Sequence, residues 1–367
     1  AYTPDKPFFI YFAPGAGHGP HHVAKAWADK YKGKFDGGWD KMREEVFARQ
    51  KAMGWIPADA ELTQRPAFIP AWSDIPENQH AFQTRLMELY AGFVEHADTE
   101  AGRVIDELER QGLRDNTIVF YLVGDNGAAT AGQNGSISEL IFQNKIKSTI
   151  EQQMQTLDEL GGLDVLGSAK TDNIYHAGWG WAGNTPFQYM KQVASHLGGT
   201  RNPMAVSWPA KIRHDTTPRS QFTHVNDVVP TIYEAIGITP PESVDGFKQD
   251  QLDGTSFAYT FNAPQAEPRK DTQYFEIFGN RAIYHDGWLA SALGPSLVPE
   301  HARQGEHWDP AGDTWELYDL RNDFSQADNI AAANPQKVTE LTALFMKEAE
   351  ANKAFPIGGS FWYALRP

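Results

Sequence analysis

The chain has 367 residues, 41% of them hydrophobic and 22% charged, enough to bury a full core and unlike the composition of a disordered protein. Its 32 basic and 47 acidic residues leave a net charge of −15, which argues against a nucleic-acid partner, and it has no run of roughly 18 apolar residues to cross a membrane as a helix. The absence of cysteine excludes disulfides, thiolate metal sites and cysteine nucleophiles.

The first residues, Ala1-Tyr2-Thr3-Pro4-Asp5, carry neither an initiator Met nor a signal-peptide pattern, so they read as the interior of a longer chain or as a processed start, and no compartment can be assigned. Pro7–Phe12 is a short apolar run bounded by prolines, and its length predicts a buried strand. The Gly- and Pro-rich stretch Pro14–His22 that follows is a loop by composition. Trp27, Tyr31, Phe35 and Trp39 recur every four residues within the charged segment 23–54, which suggests a helix or an ordered surface excursion. The strongest helix is 82–111, where Phe82, Leu86, Leu89, Tyr90, Phe93, Val94, Val104, Ile105 and Leu108 share one stripe and Gly112 offers the C-terminal cap.

Thr117–Val123 predicts a buried strand, and helix, strand and loop in that order give the rhythm of a parallel α/β sheet. Residues 128–186 form a polar, Gly-rich insertion of the kind that walls a pocket or covers an edge. Pro186–Ser195 reads as helix-like and leads through Gly198-Gly199 to a strand at Met204–Trp208; residues 225–236 read as a short helix ending at Gly237. From about residue 270, short strands at 273–278, 281–285 and 315–319 precede an amphipathic helix at 336–352, the succession of a small antiparallel α+β lobe.

Several motifs then fall in order. Phe8–Phe12 leads to Ala13-Pro14 and then His18 and Pro20. Gly124-Asp125-Asn126-Gly127-Ala128 ends the central strand. Lys191 precedes His196-Leu197-Gly198-Gly199-Thr200-Arg201-Asn202-Pro203. His224 through Thr231, Asp253-Gly254-Thr255-Ser256, and Glu316-Leu317-Tyr318-Asp319-Leu320 through Asn329 complete the series. Across residues 7–350 this series resembles bacterial arylsulfatases, members of the sulfatase family within the alkaline-phosphatase-like hydrolases.

The resemblance implies an α/β fold with a mostly parallel, mixed sheet flanked by helices, missing its first strands, with a small C-terminal α+β domain. The boundaries are a truncated sulfatase-like domain at 1–265, carrying the 128–186 insertion, and the small domain at 266–367. His18 would stand near the oxygens of the substrate, and Lys191, seven residues before Gly198, or His196 would bind the sulfate. Asp125 and Asn126 would be ligands of a divalent cation, calcium or magnesium, at a site short of its other ligands.

Other residues have plainer roles. His224 and Asp227 cap the helix beginning near Val225, Asn134-Gly135-Ser136 is a chance glycosylation sequon, and Trp179 and Trp181 either line an aryl pocket or simply pack. The family's formylglycine precursor, a Cys or Ser in C/S-x-P-x-R, is absent, as are its paired aspartates and its Lys-x-His.

Three readings stay open: an arylsulfatase-like hydrolase of sulfate or phosphate esters lacking the formylglycine nucleophile, a repurposed hydrolase of activated esters or phosphotriesters using water activated by His18 or by a cation, and a non-catalytic fragment. The expected partners are a small-molecule ester and further copies of the chain covering exposed sheet edges, with no nucleic acid and no membrane.

Overall fold

The computed structural model describes residues 6–129, 131–144, 146–295 and 308–359. They fall into two compact units, one of Ala1–Asp40, Ala71–Asp115 and Ala129–Trp179, the other of Lys41–Pro70, Asn116–Ala128 and Gly180–Pro367.

The first unit is organised by the helix Glu77–Arg110, 34 residues long and therefore about 50 Å. Its apolar stripe buries Phe82, Leu86 and Leu89 completely. Gly92 lets it approach the short helix Lys25–Asp29 backbone to backbone, since a Cβ there would lie 2.7 Å from the Ala28 nitrogen. The helix ends as the glycine predicts: Gly112 takes φ 70°, and the Leu113 amide bonds back to the Leu108 carbonyl.

The predicted insertion contributes an antiparallel pair, Asn134–Ser136 with Ile174–His176. Gln83 joins that pair to the long helix by donating to the Asn134 carbonyl at 2.8 Å. Trp39, Trp72 and Trp179 pack edge-on or tilted against one another, with His176 stacked on Trp39 at 4.4 Å. Trp179 is a packing residue, 1% exposed.

The second unit contains the strand Val119–Leu122, paired antiparallel with Met204–Ser207. Its largest element is a four-stranded antiparallel meander in the spatial order Glu316–Asp319, Trp288–Ala292, Asn280–His285, Thr272–Ile277. Alternation along these strands gives two apolar faces. Ile283, Ala290 and Leu317 point to one face, where Leu341, Phe345 and Ala349 of the helix Pro335–Ala351 cover them. Burying Phe345 there contributes about 2–3 kcal/mol. Ala282, Tyr284, Leu289 and Tyr318 point to the other face and meet Phe187 and Leu197. The antiparallel strands and the helix predicted from residue 270 onward are therefore present, with one strand more than the sequence suggests.

Arg43 fixes the chain leading to that second face. Buried, it donates to the carbonyls of Trp181, Thr63, Pro186 and Phe187 and to the Thr63 hydroxyl. Its guanidinium lies 4.3 Å over the Trp181 ring. Asp227 caps as predicted, accepting from the His224 amide at 2.7 Å, and pairs with buried Lys270 at 2.8 Å.

Three local expectations change. Among the described residues every ladder between strands is antiparallel, with one isolated parallel bridge at Ser138 and Asp172, so the parallel majority is not seen in them. Phe8–Phe12 is not a buried strand: its side chains are exposed, and no described strand pairs with it to satisfy its backbone. Pro186–Ser195 is not helical, because Tyr189 and Gln192 sit at φ 62° and 75°, which a right-handed helix cannot accommodate.

Candidate active site

Asp125-Asn126-Gly127 leaves the strand Val119–Leu122 as an exposed turn in the second unit. The Gly127 amide donates to the Asn202 side chain at 3.1 Å, and the Ala128 amide donates to the Asn184 side chain at 3.1 Å. The Lys191 amide in turn donates to the Ala128 carbonyl at 3.0 Å. A Cβ on Gly127 would lie 2.2 Å from the Gly198 carbonyl oxygen and 3.0 Å from the Lys191 nitrogen, so the turn and the Gly198-Gly199 segment are in backbone contact. The structure thus brings the backbone after Asp125-Asn126 against the backbone at Lys191 and Gly198.

The loop that carries Lys191 is held in an unfavourable conformation. Tyr189 and Gln192 on either side are left-handed, each at a cost of roughly 1–3 kcal/mol. The compensating bonds are specific. The Asn184 side-chain Nδ2 donates to the Tyr189 carbonyl, and the Asn280 side-chain Nδ2 to the Gln192 carbonyl. Gln326, fully buried in the lobe, accepts from the Leu197 amide at 2.9 Å and donates to the Ser195 carbonyl at 3.0 Å.

His196 faces inward on the same loop, 3% exposed. Its Nε2 is 3.2 Å from Oε2 of Glu316, and its Nδ1 is 2.9 Å from the Ser195 hydroxyl. An ionised carboxylate only accepts, so Nε2 carries a proton and donates to Glu316. The Tyr318 hydroxyl also donates to Glu316, at 3.0 Å. Burial pushes the Glu316 carboxyl up, but the bond and charge of His196 together with the Tyr318 hydroxyl outweigh it, and the net shift is downward. Both imidazole nitrogens are thus engaged within the protein.

His18 lies in the first unit, exposed in its Gly/Pro loop, with Nδ1 2.8 Å from the Gly19 carbonyl. Glu316, Asn202, Asn184 and Gln326 escape a sequence reading as site residues. Glu316 and Gln326 lie over a hundred positions from the loop they brace, and only the Glu316-Leu317-Tyr318-Asp319-Leu320 motif marks one of them.

The sulfatase family model matches residues 1–238. The chain belongs to the sulfatase family. It is 30% identical over 341 residues to an uncharacterized sulfatase of Schizosaccharomyces pombe, covering 91% of this chain and 56% of that protein. It is 28% identical over 240 residues to an arylsulfatase of Klebsiella aerogenes, covering 65% of this chain and 48% of that one. Among solved structures, a putative sulfatase from Bacteroides fragilis aligns with a TM-score of 0.47 at 15% identity, covering 89% of this chain and 50% of that one. The chain spans about half the length of the curated relatives it matches.

Sulfatases generally use a divalent cation. Here Asp125 and Asn126 offer one carboxylate and one amide oxygen. Among the described residues, no group of three or more His, Cys, Asp or Glu gathers that could hold a metal ion. A hard cation takes about six oxygen ligands, so this donor set alone does not fit one.

Proposed function

We propose that the chain is an arylsulfatase-like hydrolase of the sulfate-ester class that lacks the formylglycine nucleophile. The observation that supports this reading is the backbone contact of the Asp125-Asn126-Gly127 turn with Lys191 and Gly198. Lys191 holds the anionic end of the ester and offsets charge that grows on its oxygens as the ester bond breaks. His196 and Glu316 hold the Lys191 loop from beneath. With no Cys and no Ser-x-Pro-x-Arg in the sequence, the covalent attack on sulfur that the family resemblance implies has no group to perform it.

The purified chain is therefore expected to bind an aryl sulfate without turning it over. Sulfate release from 4-methylumbelliferyl sulfate, followed by fluorescence, tests this: sustained turnover by the chain alone would remove the reading. A second reading, a repurposed hydrolase of activated esters, draws on His18, whose exposed imidazole is free to activate water. Esterase activity abolished in His18→Ala with the fold intact would favour it.

A further inference from the structure

Arg201 follows Gly198-Gly199-Thr200 and precedes Asn202, the residue whose side chain holds the Gly127 turn. Its guanidinium carbon lies 4.0 Å from the centroid of the Phe324 ring and 5.3 Å from that of Phe187. Nη1 donates to the Phe324 carbonyl at 3.1 Å. That is the one protein acceptor its five N–H donors find among the described residues, and none of those residues offers it a carboxylate. Arg85, Arg219 and Arg281 each meet one, at 2.8–3.0 Å. Two aromatic faces attract a cation, yet they neutralise none of its charge and satisfy none of its in-plane N–H groups. Arg201 itself is exposed, so the open edge of its guanidinium faces solvent.

We infer that Arg201, flanked by Phe187 and Phe324, is a binding site for an oxyanion carried on an apolar body. A planar carboxylate or a sulfonate-like group would complete the open edge of the fork, and the half-buried Phe324 ring would cover the apolar part. The inference goes beyond the proposed ester chemistry and rests on this loop alone, so it holds or fails whether or not the chain cleaves any ester.

Chemical modification of the wild-type chain tests it without a variant. Phenylglyoxal modifies accessible guanidinium groups, so exposed Arg201 is expected to react, with the modified position read by peptide mass spectrometry. Benzoate, benzenesulfonate or both should slow that modification several-fold, and neutral benzamide should not. Protection by benzoate alone identifies a carboxylate site, and protection by benzenesulfonate alone a sulfate-like one. Calorimetric titration of Arg201→Gln should show the protecting anion bound at least about tenfold more weakly than by wild type. Equal modification rates with and without both anions would overturn the proposal, as would a folded Arg201→Gln variant that binds the protecting anion as tightly. Should that variant fail to fold, the protection result on the wild-type chain decides.

Discussion

Glu316 and His196 lie 120 positions apart in the sequence and meet at 3.2 Å, carboxylate to Nε2, on the loop that carries Lys191. Removing the carboxylate leaves a buried imidazole N–H without its acceptor, which costs about 1–3 kcal/mol. Glu316→Ala is expected to lower the melting temperature by several degrees and to weaken aryl sulfate binding together with it. The pair also has a pH signature. A carboxyl held below its ordinary value stabilises the fold above that ordinary value and loses the contribution as pH falls through the folded one. The acid limb of the stability profile should therefore flatten in Glu316→Gln. Unchanged melting temperature and pH profile in both variants would show that the pair supports nothing.

Two histidines of the first unit make a second acid-sensitive element. His21 and His176 are buried and lowered from 6.5 to about 3, His21 by burial and then by the neighbouring His18 and His22, His176 by burial alone. Among the described residues, both nitrogens of His21 and Nε2 of His176 find no hydrogen-bond partner. The unfolded chain binds protons in this range and the folded one does not, so stability is complete above the unfolded value of 6.5 and falls as pH drops toward 3. At roughly pH 5 the loss is about 2 kcal/mol for each histidine. Thermal melts between neutral and mildly acid pH should show this fall, with a shallower slope in His21→Leu whatever that variant's absolute stability. Parallel slopes would contradict it.

Gly127 and Gly124 make a matched pair of substitutions. Both take positive φ, 80° and 77°, so alanine strains the backbone by about 1 kcal/mol at either position. Only at Gly127 does the new Cβ collide with backbone, at 2.2 Å from the Gly198 oxygen; at Gly124 its nearest neighbour is the Asn202 side chain at 3.5 Å. Gly127→Ala should therefore lose aryl sulfate binding and markedly more stability than Gly124→Ala. Equal losses would mean that the turn and the Gly198 segment do not need their close contact.

Each unit exposes apolar side chains that a lone globule would bury. In the first, Phe9 and Tyr11 are 78% and 84% exposed; in the second, Tyr121, Leu122 and Val123 are open and Phe247 is 74% exposed. Unpaired strand edges and apolar surface of this kind drive association. Sedimentation at micromolar concentration is expected to show species larger than a monomer, shifted toward monomer in a Phe9→Ser, Tyr11→Ser variant. A monodisperse wild-type monomer that binds no hydrophobic dye would contradict this.

The legible part of the fold lay where periodicity is long. The stripe from Phe82 to Leu108 and the cap at Gly112 predicted the long helix, and the succession of short strands closed by an amphipathic helix predicted the C-terminal meander and its helix. Phe8–Phe12 misled because an apolar run of that length reads as a strand only if a neighbouring strand exists to pair with it. Pro186–Ser195 misled because left-handed Tyr189 and Gln192 leave no mark in composition. For the candidate site, the turn at Asp125 and the Gly198-Gly199 segment were visible as motifs. The braces from Glu316, Asn280 and Gln326 were not, since they are contacts across more than eighty residues of chain.

Calorimetric titration of 4-nitrophenyl sulfate into the wild-type chain and into Lys191→Ala, with nitrophenol absorbance recorded in the same cell, tests the central claim most directly. The expected result is saturable binding by wild type, at least about tenfold weaker binding by Lys191→Ala, and no nitrophenol from either. Continuous nitrophenol release by the wild-type chain, or equal binding by the two proteins, would contradict the account.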